Sequence, residues 1–345
     1  MNFTREPVAV YAAYSTDEEL RMKSSSGAVF TELSRIILER SGLVYGAALS
    51  PNCLWAEFIR ADSMEKLDRL RGSKYLQARM GNIFGQVRQD LERGSCVLFT
   101  GTGCQINGLK NFLGRDYEGL YCADVICHGV PSPGIWREYV NYLESRHKAR
   151  LKAVNFRCKD KIWNDRKMIR VDSSSYRTFE LKDNDPFMKL FLSDYILRPA
   201  CYNCMAKKEK QSDITIGDFW GIEKAAPDMY NETGTSVVII RTRKGNQLFE
   251  SVRNNLCCRE VTYSAAAESN PAEYRSVYKP DDREKFFSDY RKMSFEQLIK
   301  KYPRPARLPL KRRVKKKLKH GFSAEPERKM PVSHSNFGTE YLWKQ

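Results

Sequence analysis

A strand–helix unit that occurs twice in the middle of the chain does most to restrict the fold. Cys96-Val97-Leu98-Phe99-Thr100 is a short apolar run that breaks at Gly101-Thr102-Gly103-Cys104 and leads into a helical pattern with Leu109, Phe112 and Leu113. Leu120–Ile126 repeats it, breaking at Cys127-His128-Gly129 before Ser132-Pro133 opens a helix with Trp136, Tyr139, Val140 and Leu143 on one side. Continuous apolar strands alternating with helices are buried on both faces, so they belong in a parallel sheet covered by helices.

The flanking segments extend this pattern. Val8–Ala13 reads as a strand, and Ser24-Ser25-Ser26-Gly27 precedes a helix with Phe30, Leu33, Ile36, Ile37 and Leu38 at helical spacing. Gly42–Ala48 and Leu54–Ile59 read as neighbouring strands, and a second helix is expected from just after Gly72-Ser73-Lys74-Tyr75 to about Arg93. The second half is more mixed, with strands at 153–157, 168–171, 214–217 and 236–241 and a helix at 187–197. The expected fold is α/β (mixed α+β), with a largely parallel sheet flanked by helices, a second mixed half and a basic C-terminal tail. The expected division is 1–150, 151–302 and 303–345.

Charge is informative only by its location. The chain carries +17, but 11 basic residues and no acidic one lie between Lys300 and Lys319, which leaves +6 elsewhere. That argues against a nucleic-acid groove on the folded body. Leu310, Val314 and Leu318 recur every fourth residue within the run, a narrow apolar stripe suited to an anionic membrane surface or an acidic partner, against a plain solvated extension. No apolar run approaches the roughly 20 residues that span a bilayer, and the N-terminus does not read as a signal peptide. The expected location is cytoplasmic, with membrane-peripheral association through the tail. Ten cysteines in 345 residues are too sparse for a disulfide scaffold, so free or metal-bound thiols are expected.

Cys201 and Cys204 form a C-x2-C knuckle. Cys104 and Cys127 each follow the carboxyl end of an apolar strand, and parallel neighbours would bring both to the edge where open α/β sheets bind ligands. Four thiolates then converge on one site, suited to zinc or to a [4Fe–4S] cluster, and spacing does not choose. The bland alternative is that Cys104 and Cys127 simply fill the core. Cys53, Cys96, Cys122, Cys158, Cys257 and Cys258 are read as structural.

Gly101-Thr102-Gly103 misses the G-x-G-x-x-G spacing, because the next glycine is Gly108, but suits a tight turn near a flavin or cluster. Ser24–Gly27 offers hydroxyls and amides to a pyrophosphate, against plain helix capping. Lys74 suits a phosphate or a reduced flavin ring, against a solvated lysine. Gly217-Asp218-Phe219-Trp220-Gly221 suits packing against a flat group, against an aromatic core corner.

Six segments together resemble the beta subunits of coenzyme F420 hydrogenases and dehydrogenases. They are Ser24–Leu33, Gly72–Tyr75, Leu98–Gln105, Cys127–Pro133, Arg198–Cys204 and Ser212–Gly221, a match extending over roughly residues 8–300. The resemblance implies an FAD and iron–sulfur oxidoreductase. It implies a [4Fe–4S] cluster on Cys104, Cys127, Cys201 and Cys204. It also implies FAD near Ser25, Ser26, Gly27, Ser73, Lys74, Tyr75, Thr100, Gly101, Thr102, Gly103 and Asp218, with F420 or another acceptor as substrate. No catalytic residue is assigned. Gly103 stands where the family usually has proline, Ala28 where it has a second glycine, and Lys210 where it has arginine. Relatives often carry a ferredoxin module with C-x2-C-x2-C runs, which this sequence does not contain, so a ferredoxin-like partner is expected. The competing readings are a zinc-stabilised protein binding nucleic acid or membrane, and a family member without turnover.

Overall fold

The two strand–helix units form the middle of a nine-stranded sheet in the computed structural model, which describes residues 6–159 and 168–302. In chain order the strands are β1 (Ala9–Ser15), β2 (Leu43–Leu49), β3 (Ala56–Ala61), β4 (Ala78–Arg79), β5 (Val97–Thr102), β6 (Leu120–Val125), β7 (Leu151–Cys158), β8 (Met168–Ser173), β9 (Arg177–Leu181), β10 (Ile214–Asp218), β11 (Ser236–Ile240) and β12 (Leu256–Glu260). The large sheet has the order β12-β1-β11-β10-β6-β5-β2-β3-β4, and β7-β8-β9 form a small antiparallel sheet.

The fold is mixed α/β, as the sequence indicates. Its central strands β10, β6, β5 and β2 pair in parallel. The flanks are largely antiparallel, with β1 held between β11 and β12 on one side and β3 against β2 on the other. One sheet therefore draws strands from both sides of residue 150, and the described residues belong to one compact unit. The basic run after Pro303, with its Leu310, Val314 and Leu318 stripe, lies outside the described residues.

Side-chain alternation in β5 explains why both faces need cover. Val97 and Phe99 are fully buried on one face beside Val87, Ile106, Leu109 and Trp136. Leu98 is fully buried on the other beside Val29, Leu33, Ile37 and Phe249. Each such side chain contributes roughly 1.5–3 kcal/mol through burial.

Two helices differ from the sequence expectation. The one expected directly after Tyr75 runs only from Ile83 to Glu92, because Ala78 and Arg79 first pair with β3 and Gly81 turns the chain at φ 50°. The one expected over 187–197 runs from Pro186 to Leu192. Asp185 starts it by accepting from the Met188 amide, and the left-handed Asp194 (φ 65°) follows its end. The chain beyond is then free to pair with the loop after β6.

Candidate functional site

Because β1, β2, β5, β6 and β10 all run the same way, their carboxyl ends open on one sheet edge. Cys104 lies in the first turn of the helix Gly103–Leu113, directly after β5. Cys127 follows β6, and the register Thr102↔Val125 brings these two strand ends level. The segment before the knuckle is fastened to the same edge. The Ser132 amide donates to Ile196 O (2.7 Å), the Arg198 amide donates to Val130 O (2.8 Å), and Pro131 bridges to Leu197. A short 3-10 turn, Pro199–Asn203, then presents Cys201 and Cys204.

Local bonds orient these thiols. The Val130 amide donates to Cys201 Sγ (3.4 Å), and the Cys204 amide donates to Ser276 Oγ (2.9 Å). Gly129 permits this approach, since a Cβ there would lie 2.9 Å from Leu197 and 3.5 Å from the Cys201 Cβ. Burial pushes the Cys127 thiol up to about 12; Lys207 opposes the shift, while Cys104, Cys201 and Cys204 add to it. Burial likewise lowers Lys207, against the pull of Cys127, Cys204 and Cys201. The four sequence-predicted cysteines thus share one electrostatic neighbourhood, with Cys104 on its solvent side. Among the described residues, no group of three or more His, Cys, Asp or Glu side chains is arranged to hold a metal ion.

Gly101-Thr102-Gly103 is a direct strand-to-helix passage and not an open loop. Thr102 and Gln105 form a reciprocal capping box that uses the Thr102 amide, and Thr100 Oγ1 donates to Tyr45 O (2.9 Å). A Cβ on Gly103 would come within 3.2 Å of both the Ala206 Cβ and Asp124 Oδ2. This glycine therefore seats the Cys104 helix against the segment that follows Cys204.

A second group of predicted residues gathers beside β7. Ser25 Oγ accepts from the Ser73 amide (2.7 Å) and lies 3.0 Å from the Ser73 hydroxyl. Ser26 donates to Thr235 O, and the Gly27 amide donates to Ser236 Oγ, each at 3.0 Å. The helix itself starts at Val29 after Ala28, which holds φ 67°. That left-handed conformation is the physical reason a glycine suits position 28. Lys74 Nζ donates to Leu70 O and Arg71 O, both at 2.7 Å, and burial lowers it to about 7. Tyr75 packs against Phe156 and Phe191. Ser25, Ser73 and Lys74 line a cavity of about 410 Å³.

Two cations on β7 and just after it were not singled out in the sequence. Arg157 makes a two-pronged pair with Asp218 (2.5 and 3.0 Å) and donates to Ser25 O (3.1 Å). Lys159 donates to Arg21 O (2.6 Å) and Ser26 O (2.9 Å), and burial lowers it to about 7. Their signal was the alternation of Asn155, Arg157 and Lys159 with Val154, Phe156 and Cys158, which marks a strand with one polar face.

Several residues of the Ser212–Gly221 motif hold the fold together. Asp213 accepts from the Cys122 amide (2.8 Å) and the Thr242 hydroxyl (2.7 Å), which ties β10 to β6. Lys210 bridges Asp124 (3.2 Å) and Glu273 (2.6 Å). Gly217 admits Ile126, whose Cδ1 would stand 2.9 Å from a Cβ there. Phe219 is in the core, while Trp220 is 39% exposed, with the Arg157 and Lys182 cations 5.9 Å from its ring. A larger groove of about 1060 Å³ includes Lys110, Lys210 and Arg241, whose charges are already met by Asp116, Asp124 and Glu273.

A family profile for the C terminus of the coenzyme F420 hydrogenase/dehydrogenase beta subunit matches residues 94–265. Among solved structures, a chain from the F420-reducing [NiFe] hydrogenase complex of Methanosarcina barkeri, in a xenon-derivatized form, is similar, with a TM-score of 0.54 at 16% identity. The likeness covers 84% of this chain and 95% of that one, and at this identity it is a likeness of fold. No curated protein sequence matches.

Proposed function

This chain belongs to the coenzyme F420 hydrogenase/dehydrogenase beta-subunit family, and on that premise we propose that it passes electrons between a [4Fe–4S] cluster, FAD and an acceptor. The observation that carries this reading is the gathering of Cys104, Cys127, Cys201 and Cys204 in one electrostatic neighbourhood at the carboxyl edge of the central strands. Their all-sulfur chemistry fits a [4Fe–4S] cluster. Each thiolate of such a cluster binds its own iron, so its ligands stand farther apart than those around a single zinc ion. The Val130 amide and Lys207 favour the thiolate form that ligation requires.

FAD would be held along the same edge by Ser25, Ser26, Gly27, Ser73, Lys74 and Tyr75, with Thr100–Gly103 and Asp218 nearby. A bound flavin supplies the exchange between one-electron and two-electron chemistry that an acceptor such as F420 requires. Arg157, fixed by Asp218, keeps a positive charge beside the cavity, and Lys74 adds one that varies near neutral pH. The electron partner in this reading is an acidic, ferredoxin-like protein. Cys104 is exposed, Met205 beside Cys204 is 61% exposed, and Lys207 and Lys208 follow directly, so opposite charge would speed encounter. No helix among the described residues is long and apolar enough to cross a membrane. Contact with an anionic membrane surface would fall to the basic tail.

Anaerobic purification followed by absorbance, iron and sulfide analysis tests the reading. Cys201→Ser is expected to remove most iron and Cys257→Ser to keep it, because Cys257 lies on the edge strand β12. Full iron in Cys201→Ser protein, or zinc in place of iron, overturns the cluster. A folded, iron-loaded protein that never takes up FAD overturns the flavin.

A further inference from the structure

The cavity beside β7 has a charge pattern that its assigned residues do not explain. Seven of its lining side chains are basic and a single one, Asp68, is acidic. Four of the cations have carboxylate partners: Lys23 with Glu19, Arg71 with Asp68, Arg157 with Asp218 and Arg170 with Asp172. Arg69 and Lys152 have no such partner among the described residues. A wall of this kind repels itself unless an anion or solvent occupies the space.

Burial adds an independent sign. The Arg71 side chain is only 8% exposed, yet its Nε–H has no acceptor. The buried Ser24 hydroxyl, on the same cavity wall, also has no partner. Unsatisfied buried donors are uncommon in folded proteins, because each one keeps its desolvation cost with nothing to offset it, and the cost is larger for a charged group. Two of them on one basic cavity indicate a missing acceptor. The two sides of the cavity come from different sheets. Ser24, Arg69 and Arg71 belong to loops of the large sheet, whereas Lys152, Arg157 and Arg170 belong to β7 and β8.

We propose that Arg71, Ser24 and Lys152 form a two-sided clamp for a phosphate ester or diphosphate, closing the small sheet onto the large one around the anion. Arginine's planar fork suits phosphate oxygens, and Ser24 adds a neutral donor. About 410 Å³ admits a diphosphate but not an entire dinucleotide, so the rest of the ligand extends out of the cavity. The clamp builds on the flavin reading, since FAD carries a diphosphate. A phosphorylated acceptor would supply the same chemistry.

The test is calorimetric titration of the full chain with inorganic pyrophosphate, first free of flavin and then loaded with it. Saturable, salt-sensitive binding is expected, weakened about tenfold or more in Arg71→Ala, the effect of losing one charge-assisted contact. Arg71→Lys should recover only part of it, whereas Arg150→Ala, with a side chain 88% exposed and outside the cavity, should bind as wild type does. Should Arg71→Ala fail to fold, the exposed Lys152→Gln is expected to weaken binding severalfold. Loss of pyrophosphate binding on adding FAD, but not riboflavin, assigns the clamp to the flavin's own diphosphate. Retained binding with FAD in place assigns it to a phosphorylated acceptor. No binding of pyrophosphate, or equal binding in wild type, Arg71→Ala and Lys152→Gln, overturns the clamp whether or not FAD binds. Pyrophosphate binding in a protein that refuses FAD supports the clamp and overturns the flavin reading alone.

Discussion

Replacing Lys210 by methionine tests whether the buried ion network, and not the chain's local preferences, holds the knuckle against the sheet. The Lys210 side chain is 10% exposed and reaches two carboxylates that are almost fully buried, Asp124 at 1% and Glu273 at 2%. Methionine keeps most of the volume and removes the charge. Glu273 would retain Arg241, and Asp124 would retain the hydroxyls of Ser212 and Thr215, so neither acid is stranded. Breaking a buried pair from one side costs roughly 3–5 kcal/mol, and the surviving donors place this case near the lower end, about 3 kcal/mol. For a domain of this size 1 kcal/mol moves Tm by about 2 °C, so a drop of roughly 6 °C is expected in calorimetry. Lys210→Arg should restore stability, because a guanidinium can reach both acids at once. Lys210 lies six residues beyond Cys204, so iron retention should fall in the methionine variant and recover in the arginine one. A Tm within 1 °C of wild type for Lys210→Met would refute the reasoning. So would an equal loss in both variants.

Two further outcomes follow from individual groups. Burial raises Asp185 to about 6, while it accepts from Tyr139 and caps the helix Pro186–Leu192. Its folded value lies above the unfolded one near 3.9, so its contribution is complete below pH 4 and is lost as pH rises through 6. That loss is on the order of 3 kcal/mol, and urea titrations should show Asp185→Asn gaining on wild type between pH 4 and 7. Parallel stability curves would contradict this. The full chain should pellet with anionic vesicles at low salt, and a chain ending at Pro309 should not; no pelleting of the full chain excludes a membrane role for the tail.

The central sheet was legible in the sequence because its strands are buried on both faces and must therefore be continuously apolar, as Val97–Phe99 and Leu120–Ala123 are. The carboxyl-edge position of Cys104 and Cys127 followed from the same pattern, since a thiol directly after a parallel strand lies at its carboxyl end. Local chemistry also marked the knuckle and the helix opened by Ser132-Pro133. What no local pattern carries is pairing across long separations. That β1 sits between β11 and β12, more than 220 residues away, depends on which edges remain unpaired after the parallel centre has formed. The premature end of the helix at Leu192 depends on Asp194 and on the pairing of 196–198 with the loop after β6, where tertiary bonds outweigh helical propensity. Alternation along 154–159 marks Arg157 and Lys159 as the polar face of a strand, but the partners of these two and of Arg71 are set by the same long-range packing. A cation in a sequence reads as a solvated surface group, and only the closed fold shows which carbonyls and carboxylates surround it, and which of its donors are left without an acceptor.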